Sequence, residues 1–249
     1  MWCTTFRWAL HLLLLASLLW GSLFLYYPIE IQPLVALQAF LPDGDELAKI
    51  TVVDLRFPRA LVGIALGAIL AVAGALLQTI TRNPLASPSL LSVNSGAALA
   101  MVLVTTISPA LAKGYSIAFV AALGGGLSWL TVMLISNGWR DNQGDRSRMI
   151  LAGIAVSLLC AALTKLTLIV AEDHAFGIMS WLAGGISHAR WGEWQILYPF
   201  LILTALFSLV FAGQLNLLSL SDESARSLGV NLLRLRRYAN IMALLIVGA

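Results

Sequence analysis

The chain has 249 residues, of which 59% are hydrophobic and only 11% are charged, and its formal net charge is +3. A soluble domain of this length carries roughly 25% charged residues, so the composition excludes an ordinary soluble globular protein. Several uncharged runs approach or exceed the ~18 residues that mark a membrane-spanning helix. The predicted fold class is therefore an all-α polytopic membrane protein.

The apolar runs predict six complete membrane spans and one partial span, all within a single transmembrane domain covering residues 1–249. These spans lie at about 9–27, 60–80, 89–111, 115–136, 149–170 and 194–216, and the partial one at 238–249. The first run is long for a signal peptide and lacks a clear cleavage site, so we interpret it as a retained helix. The last run stops after about 12 residues, too few to cross a hydrocarbon core of ~30 Å. We expect the natural protein to continue past Ala249.

Basic residues in the short loops predict the orientation of the chain. With the N-terminus on the cytoplasmic side, nine basic residues lie in inner segments and five in outer segments. Cytoplasmic loops of membrane proteins carry the excess of lysine and arginine, so this orientation is favoured. It places Arg56 and Arg59 on the outer side, at the entrance to the second span.

Small residues predict where the spans pack closely. Helices approach each other in lipid where small side chains recur at helical spacing. The candidates are a stripe of Gly63, Gly67, Ala71 and Ala75 in the second span, Gly124 to Gly126 with Ser128 in the fourth, and Gly153 with Ser157 in the fifth. The outer connection at 172–193 is apolar, with Trp181 and Trp191 as interface anchors.

Motifs for catalysis are absent from the sequence. It contains no phosphate-binding GxxxxGK[ST] loop and no HExxH, GxSxG or CxxC motif. The three histidines have no metal-ligand spacing. We therefore predict no catalytic residue, no metal site and no directly bound cofactor, and the chain is not expected to be an enzyme. The distribution of its charge gives no reason to expect a nucleic-acid partner.

Lys165 is the one ionisable residue placed well inside a predicted span. A lysine in such a position faces a bundle interior or a water-filled path, or it extends to the membrane surface when it lies near a helix end. Lys165 lies five or six residues from the outer end of its span. Both interpretations stay open: a snorkelling side chain, or a place on the path of an anionic ligand.

The inner connection at 219–237 is also more than a simple link. Ser221 or Asp222 can cap a short helix, Gly229 can end it, and Asn231 can cap a second one. Two short amphipathic helices would form a docking knob for a cytoplasmic partner. An ordinary surface loop on the membrane is the alternative.

Three motifs together resemble a known family. They are RFPR at 56–59 before a Gly/Ala-rich span, the segment LQTITRNPLASP at 77–88, and NSGA at 94–97. This ordered string is similar to the FecCD/BtuC-type permeases of iron-siderophore, haem and vitamin B12 ABC importers. The similarity runs along all 249 residues. Residues 87–101, 171–191 and 213–222 resemble most the permeases that import ferric dicitrate.

The resemblance implies a type II ABC importer permease with ten helices, of which about six and a half are present here. It also implies a second, similar permease as partner, most simply in a heterodimer, with a cytoplasmic ATPase dimer that uses ATP and a periplasmic substrate-binding protein. The arginines matching Arg56 and Arg59 receive a glutamate of the binding protein in this family. The fifth span lines the family's translocation path, which favours the second interpretation of Lys165. The segment implied to couple to the ATPase contains Asp222, Glu223, Ala225, Leu228, Gly229 and Asn231.

The function expected from these features is transport of ferric citrate or a related iron chelate from periplasm to cytoplasm across a bacterial inner membrane. Within the same family the substrate could instead be another siderophore, haem or cobalamin. A secondary transporter without an ATPase is the alternative from a different class, because such proteins also carry ionisable residues within their spans. A non-functional fragment is a third possibility, since the chain stops within a helix.

Overall fold

The structure, a computed structural model, describes residues 2–25, 29–89, 91–109, 115–137, 145–171, 178–179, 182–218, 227 and 232–247. Every regular element within these residues is a helix, which confirms the all-α class. In chain order they are α1 (Trp2–Phe24), α2 (Pro33–Gln38), α3 (Glu46–Ala48), a π-helical segment (Lys49–Arg56), α4 (Phe57–Thr81), α5 (Val93–Ile107), α6 (Tyr115–Ser136), α7 (Asp145–Val170), α8 (Trp191–Leu218) and α9 (Leu232–Val247).

Five helical stretches in the described part are long and apolar enough to cross a membrane. They are Thr5–Phe24, Glu46–Thr81, Ile117–Ser136, Ser147–Val170 and Trp191–Leu217. Apolar helices of this length have no stable place in water, so the chain is a multi-pass membrane protein. The second stretch is longer than expected, because α3 and the π-helical segment run without a break into α4.

Helix α5 is shorter than the span expected at 89–111. It has 15 residues, or about 22 Å at 1.5 Å per residue. The chain first leaves α4 through Arg82, whose φ of 49° is left-handed, and enters α5 through Ser92, whose φ is 64°. Pro84 and Pro88 lie between them and cannot donate to a helix. Because residues 89–111 are apolar throughout, the composition did not show this turn, and α5 starts only at Val93.

The chain folds into two compact units, and the division between them falls within α4 and α8. The first unit comprises residues 1–67 and 185–199. Its core contains Leu23 of α1, Ala36 and Ala39 around the end of α2, Ala48 of α3 and Val52 of the π-helical segment. Pro33 starts α2, where its missing N–H costs nothing. Asp45 caps α3 by accepting the N–H of Ala48 at 2.9 Å.

The second unit comprises residues 68–184 and 200–249 and is built around α5, α6 and α7. Gly96 and Gly124 let α5 and α6 touch backbone to backbone: a Cβ added at Gly96 would lie 2.6 Å from the Gly124 carbonyl oxygen. The Ser128 hydroxyl donates to Ser92 O at 2.8 Å across the same contact. This close approach confirms the small-residue prediction for α6.

The stripe of small residues in α4 behaves differently. Gly67 would have nothing within 4 Å of an added Cβ, and Ala71 and Ala75 are exposed. Only Gly63 has a close neighbour, Ile186 Cδ1 at 3.1 Å. Among the described residues, most of this stripe is therefore an open face.

Candidate docking site at Arg56 and Arg59

Both candidate arginines lie at the start of α4: Arg56 is the last residue of the π-helical segment, and Arg59 is the third residue of α4. The geometry of the π-helical segment is visible at its end, where the N–H of Phe57 bonds to Val52 O five residues back. The next residue, Pro58, has no N–H, so Val53 O has no i+5 donor in the helix. The Trp191 indole N–H fills this place, donating to Val53 O at 3.1 Å. A tryptophan from 138 positions away thus fastens the end of the π-helical segment.

An aromatic row supports the same end of the segment. The ring of Phe57 lies between Phe40, with centroids 5.3 Å apart, and Trp191, with centroids 5.9 Å apart. Both pairs meet edge to face, which is the favoured arrangement for aromatic rings. The row fixes the direction in which α4 starts, and with it the placement of the arginines on either side of Phe57.

Arg56 is buried, with only 6% of its surface exposed. Its Nη1 donates to Leu23 O at 2.8 Å, and its Nη2 donates to Ile29 O. Leu23 lies in the last turn of α1, where the carbonyl groups lack helical donors and carry the negative end of the helix dipole. The guanidinium of Arg56 therefore sits where a cation is favoured.

Arg59 lies one turn further along α4 and is half-buried. Both arginines line one cavity of about 430 Å³. Its other lining residues are Ser17, Leu18, Gly21, Ser22 and Leu25 of the α1 region, Ala60 and Gly63 of α4, and Ile186. As far as the described residues go, this lining is mostly apolar and contains no acidic side chain. The structure thus brings together the two arginines that the sequence singled out, but gives them different surroundings.

Lys165 is exposed on α7. The neighbouring Thr164 is 7% exposed, and its hydroxyl donates to Cys160 O at 2.8 Å. Two turns earlier on α7, the hydroxyl of Ser157 meets that of Ser95 on α5 at 2.6 Å. Eight residues of α-helix correspond to a net rotation of about 80°, so Lys165 lies on an exposed, otherwise apolar flank beside the contact with α5.

The predicted coupling segment cannot be compared with the structure. Asp222, Glu223, Ala225, Leu228, Gly229 and Asn231 all lie outside the described residues. In the part of the chain that is described, no group of three or more His, Cys, Asp or Glu residues could hold a metal ion.

Sequence reasoning missed two features of this site. The first is Trp191, which the sequence suggested only as an interface anchor; the signal available was Pro58, because a proline leaves a helical carbonyl in need of another donor. The second is the burial of Arg56. An arginine before a span suggests a surface residue, and only the folded position of the end of α1 shows what it binds.

The fold and this site define a class: a multi-pass helical membrane protein of the transport-permease type. The chain belongs to the FecCD transport family, whose model matches residues 10–249.

Two proteins of Escherichia coli (strain K12) and one solved structure illustrate the similarity. The chain is 52% identical over 244 residues to the Fe(3+) dicitrate transport system permease protein FecC, covering 97% of this chain and 73% of that one. It is 34% identical over 190 residues to the Fe(3+) dicitrate transport system permease protein FecD, covering 76% of this chain and 58% of that one. An inward-facing conformation of a metal-chelate type ABC transporter matches with a TM-score of 0.79 and 27% identity, covering 95% of this chain and 71% of that chain.

Proposed function

We propose that this chain is the transmembrane permease subunit of an ATP-driven importer that moves ferric citrate, or a related iron chelate, from periplasm to cytoplasm. The observation that carries the proposal is the 52% identity to FecC over 97% of the chain. The chain would form the membrane path, and ATP would be hydrolysed on a separate subunit. This division agrees with a sequence that has no phosphate-binding loop of its own.

The partners proposed are a second permease, a cytoplasmic ATPase dimer and a periplasmic binding protein. FecC and FecD bear the name of one transport system of one organism, and this chain is similar to both. A heterodimer of two related permeases is the simplest arrangement that accounts for this. The substrate would cross between the two permeases.

We place the protein in the bacterial inner membrane with its N-terminus in the cytoplasm. The excess of basic residues in the inner segments supports this orientation. The bond from Arg56 to Leu23 O holds the end of α1 and the start of α4 together, as expected for consecutive spans that run in opposite directions, whichever side the N-terminus takes. Arg56 and Arg59 then lie on the periplasmic side.

On that side the pair Arg56 and Arg59 is the proposed docking site for a carboxylate of the binding protein. A guanidinium can hold a carboxylate with two parallel hydrogen bonds, which gives orientation as well as attraction. On the cytoplasmic side, the segment from Asp222 to Asn231 is the proposed contact with the ATPase.

Lys165 is the proposed residue of the translocation path. Its side chain is exposed on α7, so the amino group is accessible to a passing ligand. Ferric citrate is anionic, and a lysine in a low-dielectric path attracts an anion more strongly than one in water.

The test is uptake of labelled ferric citrate by Escherichia coli cells that lack FecC. Residues 1–249 would replace the matching part of FecC in a chimera that keeps the rest of FecC, because the chain spans 73% of that relative. We expect uptake to return, and to be lost when the ATPase partner is inactivated. No uptake from a chimera that accumulates in the membrane would refute the proposal. Uptake that survives inactivation of the ATPase would favour a secondary transporter.

The alternative within the family is another siderophore, haem or cobalamin as substrate. Competition separates these possibilities: unlabelled ferric citrate should block uptake of the label, and haem or cobalamin should not. Reversing the charge of Arg56 and Arg59 together should weaken binding of the periplasmic protein while the chimera still reaches the membrane. If the chimera with both charges reversed still binds the periplasmic protein normally, the arginine pair is not the docking site.

A further inference from the structure

We propose that residues 31–50, called here the α2–α3 segment, are embedded in lipid: their outward face contacts the acyl chains of the leaflet in which α1 ends. The segment contains α2, α3 and the first residues of the π-helical segment. With six and three residues, α2 and α3 are too short to cross a membrane. The inference goes beyond the proposed function and rests on it only for the side, because the proposed orientation makes this leaflet the periplasmic one.

The α2–α3 segment is folded closely on itself. At Gly44 the chain passes so near to α2 that an added Cβ would lie 2.3 Å from Gln38 O. The side chain of Asp45 caps α3, and Lys49 Nζ donates to Pro42 O across the turn. The side chains of the segment therefore have a fixed inner face and a fixed outer face.

These two faces are the reverse of those of a helix in a soluble protein. The inner face is made of small residues, since Ala36, Ala39 and Ala48 are at most 3% exposed. The large apolar side chains lie on the outer face, where they are 45–64% exposed: Leu34, Leu37, Phe40, Leu41, Leu47 and Ile50. In water the large side chains would be the ones to bury, because burial stabilises them more than it stabilises alanine. The distribution fits surroundings that are themselves apolar.

The contacts of the inner face place the α2–α3 segment at the membrane boundary. Ala36 joins Leu23 of α1 in one core, and Trp20 and Phe24 of α1 pack against that core. All three α1 residues belong to the membrane-length stretch Thr5–Phe24. A tryptophan near the end of a span is typical of the boundary between acyl chains and headgroups. The segment therefore lies beside the last turns of α1, at a depth where outward leucines contact acyl chains.

The charges of the segment are separated from this apolar face along the chain. Residues 31–42 contain no charged side chain, whereas the turn at 43–46 contains Asp43, Asp45 and Glu46. All three acidic side chains are exposed. An apolar flank joined to a charged turn is the pattern of a segment that lies in the membrane interface, with its charges among the headgroups and water.

Continuity with α1 identifies lipid as what covers the outer face. Only 6% of the most apolar 18-residue window of α1 is buried, so acyl chains surround this helix. Leu18, Leu25 and Ile29 are exposed as well, and they extend the apolar surface from α1 to the segment. A soluble partner that binds and leaves would expose the six large side chains of the outer face to water at every release. Lipid covers them at all times.

The test uses a fluorescent probe at single cysteines of the FecC chimera in liposomes. Cys3, Cys160 and any cysteine of the FecC part would first be changed to serine. Leu34→Cys and Leu37→Cys would then be made one at a time and labelled with bimane. We expect lipids brominated on their acyl chains to quench both probes, and acrylamide in the water to leave their emission unchanged.

Two control positions calibrate the quenching. A probe at Leu14→Cys in α1, where the native side chain is 56% exposed, should lose as much emission to brominated lipid as the probes in α2. A probe at Asp43→Cys, in the charged turn, should show the reverse: quenching by acrylamide and little by lipid. Leu47→Cys provides a probe outside α2, so the test does not depend on the folding of the two α2 variants.

Four outcomes are informative. Quenching of the Leu34 and Leu37 probes by acrylamide would overturn the proposal, because the outer face would then meet water. Probes shielded from both quenchers would also overturn it, since protein would cover the face. Lipid quenching that disappears when the periplasmic binding protein is added would assign the face to docking instead. Lipid quenching in a chimera that fails to import ferric citrate would refute the proposed function while the lipid contact stands.

Discussion

Replacing Gly96 by alanine should separate α5 from α6. The new Cβ would lie 2.2 Å from Ser128 Cβ and 2.6 Å from Gly124 O. Carbon atoms in contact prefer ~3.5–4.0 Å, so the helices must move apart by about 1.3 Å or more. Overpacking of this kind costs roughly 1–3 kcal/mol. The shift also breaks the bond of Ser128 to Ser92 O, and an interhelical hydrogen bond in a membrane protein contributes about 0.6 kcal/mol. We expect a loss of about 2–4 kcal/mol in the free energy of unfolding.

The assay is unfolding of the purified chain in mixed micelles with a rising fraction of dodecyl sulfate, followed by helical circular dichroism. Gly213→Ala is the matched control, because an added Cβ there has nothing within 4 Å. The control should be neutral or slightly stabilising, since alanine is a better helix former than glycine. Gly124→Ala should behave like Gly96→Ala, because its Cβ would lie 2.2 Å from Ala100 Cβ and 2.5 Å from Gly96 O.

Combining Gly124→Ala with Ala100→Gly tests the cause of the loss. The second change removes the clash with Ala100 Cβ but not the one with Gly96 O, so only part of the stability should return. Gly96→Ala unfolding at the same denaturant fraction as Gly213→Ala would refute the backbone contact between α5 and α6.

Three further predictions concern the site residues. Trp191→Phe keeps a ring against Phe57 but removes the donor to Val53 O, so it should cost about 1 kcal/mol of unfolding free energy in the same micelle assay, whereas Trp194→Phe should cost less. Lys165→Met should lower the rate of ferric citrate uptake in the FecC chimera with no loss of stability, because the side chain is exposed; unchanged uptake would leave only a snorkelling lysine. Gly229→Pro should uncouple ATPase stimulation from transport without removing the chimera from the membrane. If coupling stays intact, the segment at 219–237 is an ordinary surface loop.

The sequence was enough to predict the membrane helices, because their length and low charge are physical requirements of the bilayer. The predicted span at 60–80 matches the body of α4, and that at 115–136 matches α6. It could not predict that residues 46–56 continue α4 as a helix. The predicted span started only at residue 60, after the charged residues Asp54 and Arg56, but the side chain of Arg56 is buried beside the end of α1, which is far away in sequence.

The candidate site was predictable in part. The pattern RFPR identified Arg56 and Arg59 as a pair, and the structure places both at one cavity. Their different burial could not be inferred from the pattern, since it depends on Leu23 O and Ile29 O. Pro58 indicated that a helical carbonyl needed another donor, but the sequence could not show that Trp191, 138 positions from Val53, supplies it.

The late start of α5 has a consequence for the surrounding lipid. Ser92, just before α5, is bonded to Ser128, which lies eight residues before the end of α6 at Ser136. At 1.5 Å per residue, α5 therefore begins about 12 Å short of the end of α6. The 15-residue α5 thus rises only about 22 Å, less than the hydrocarbon core of ~30 Å that the 22-residue α6 is long enough to cross.

Side-chain bonds tie the described residues between α4 and α5: Asn83 Oδ1 accepts the N–H of Leu85, and the Asn94 amide of α5 donates to the Ser89 hydroxyl. Lipids of a different chain length should therefore strain the long helices α6 and α7 first and leave the start of α5 undisturbed.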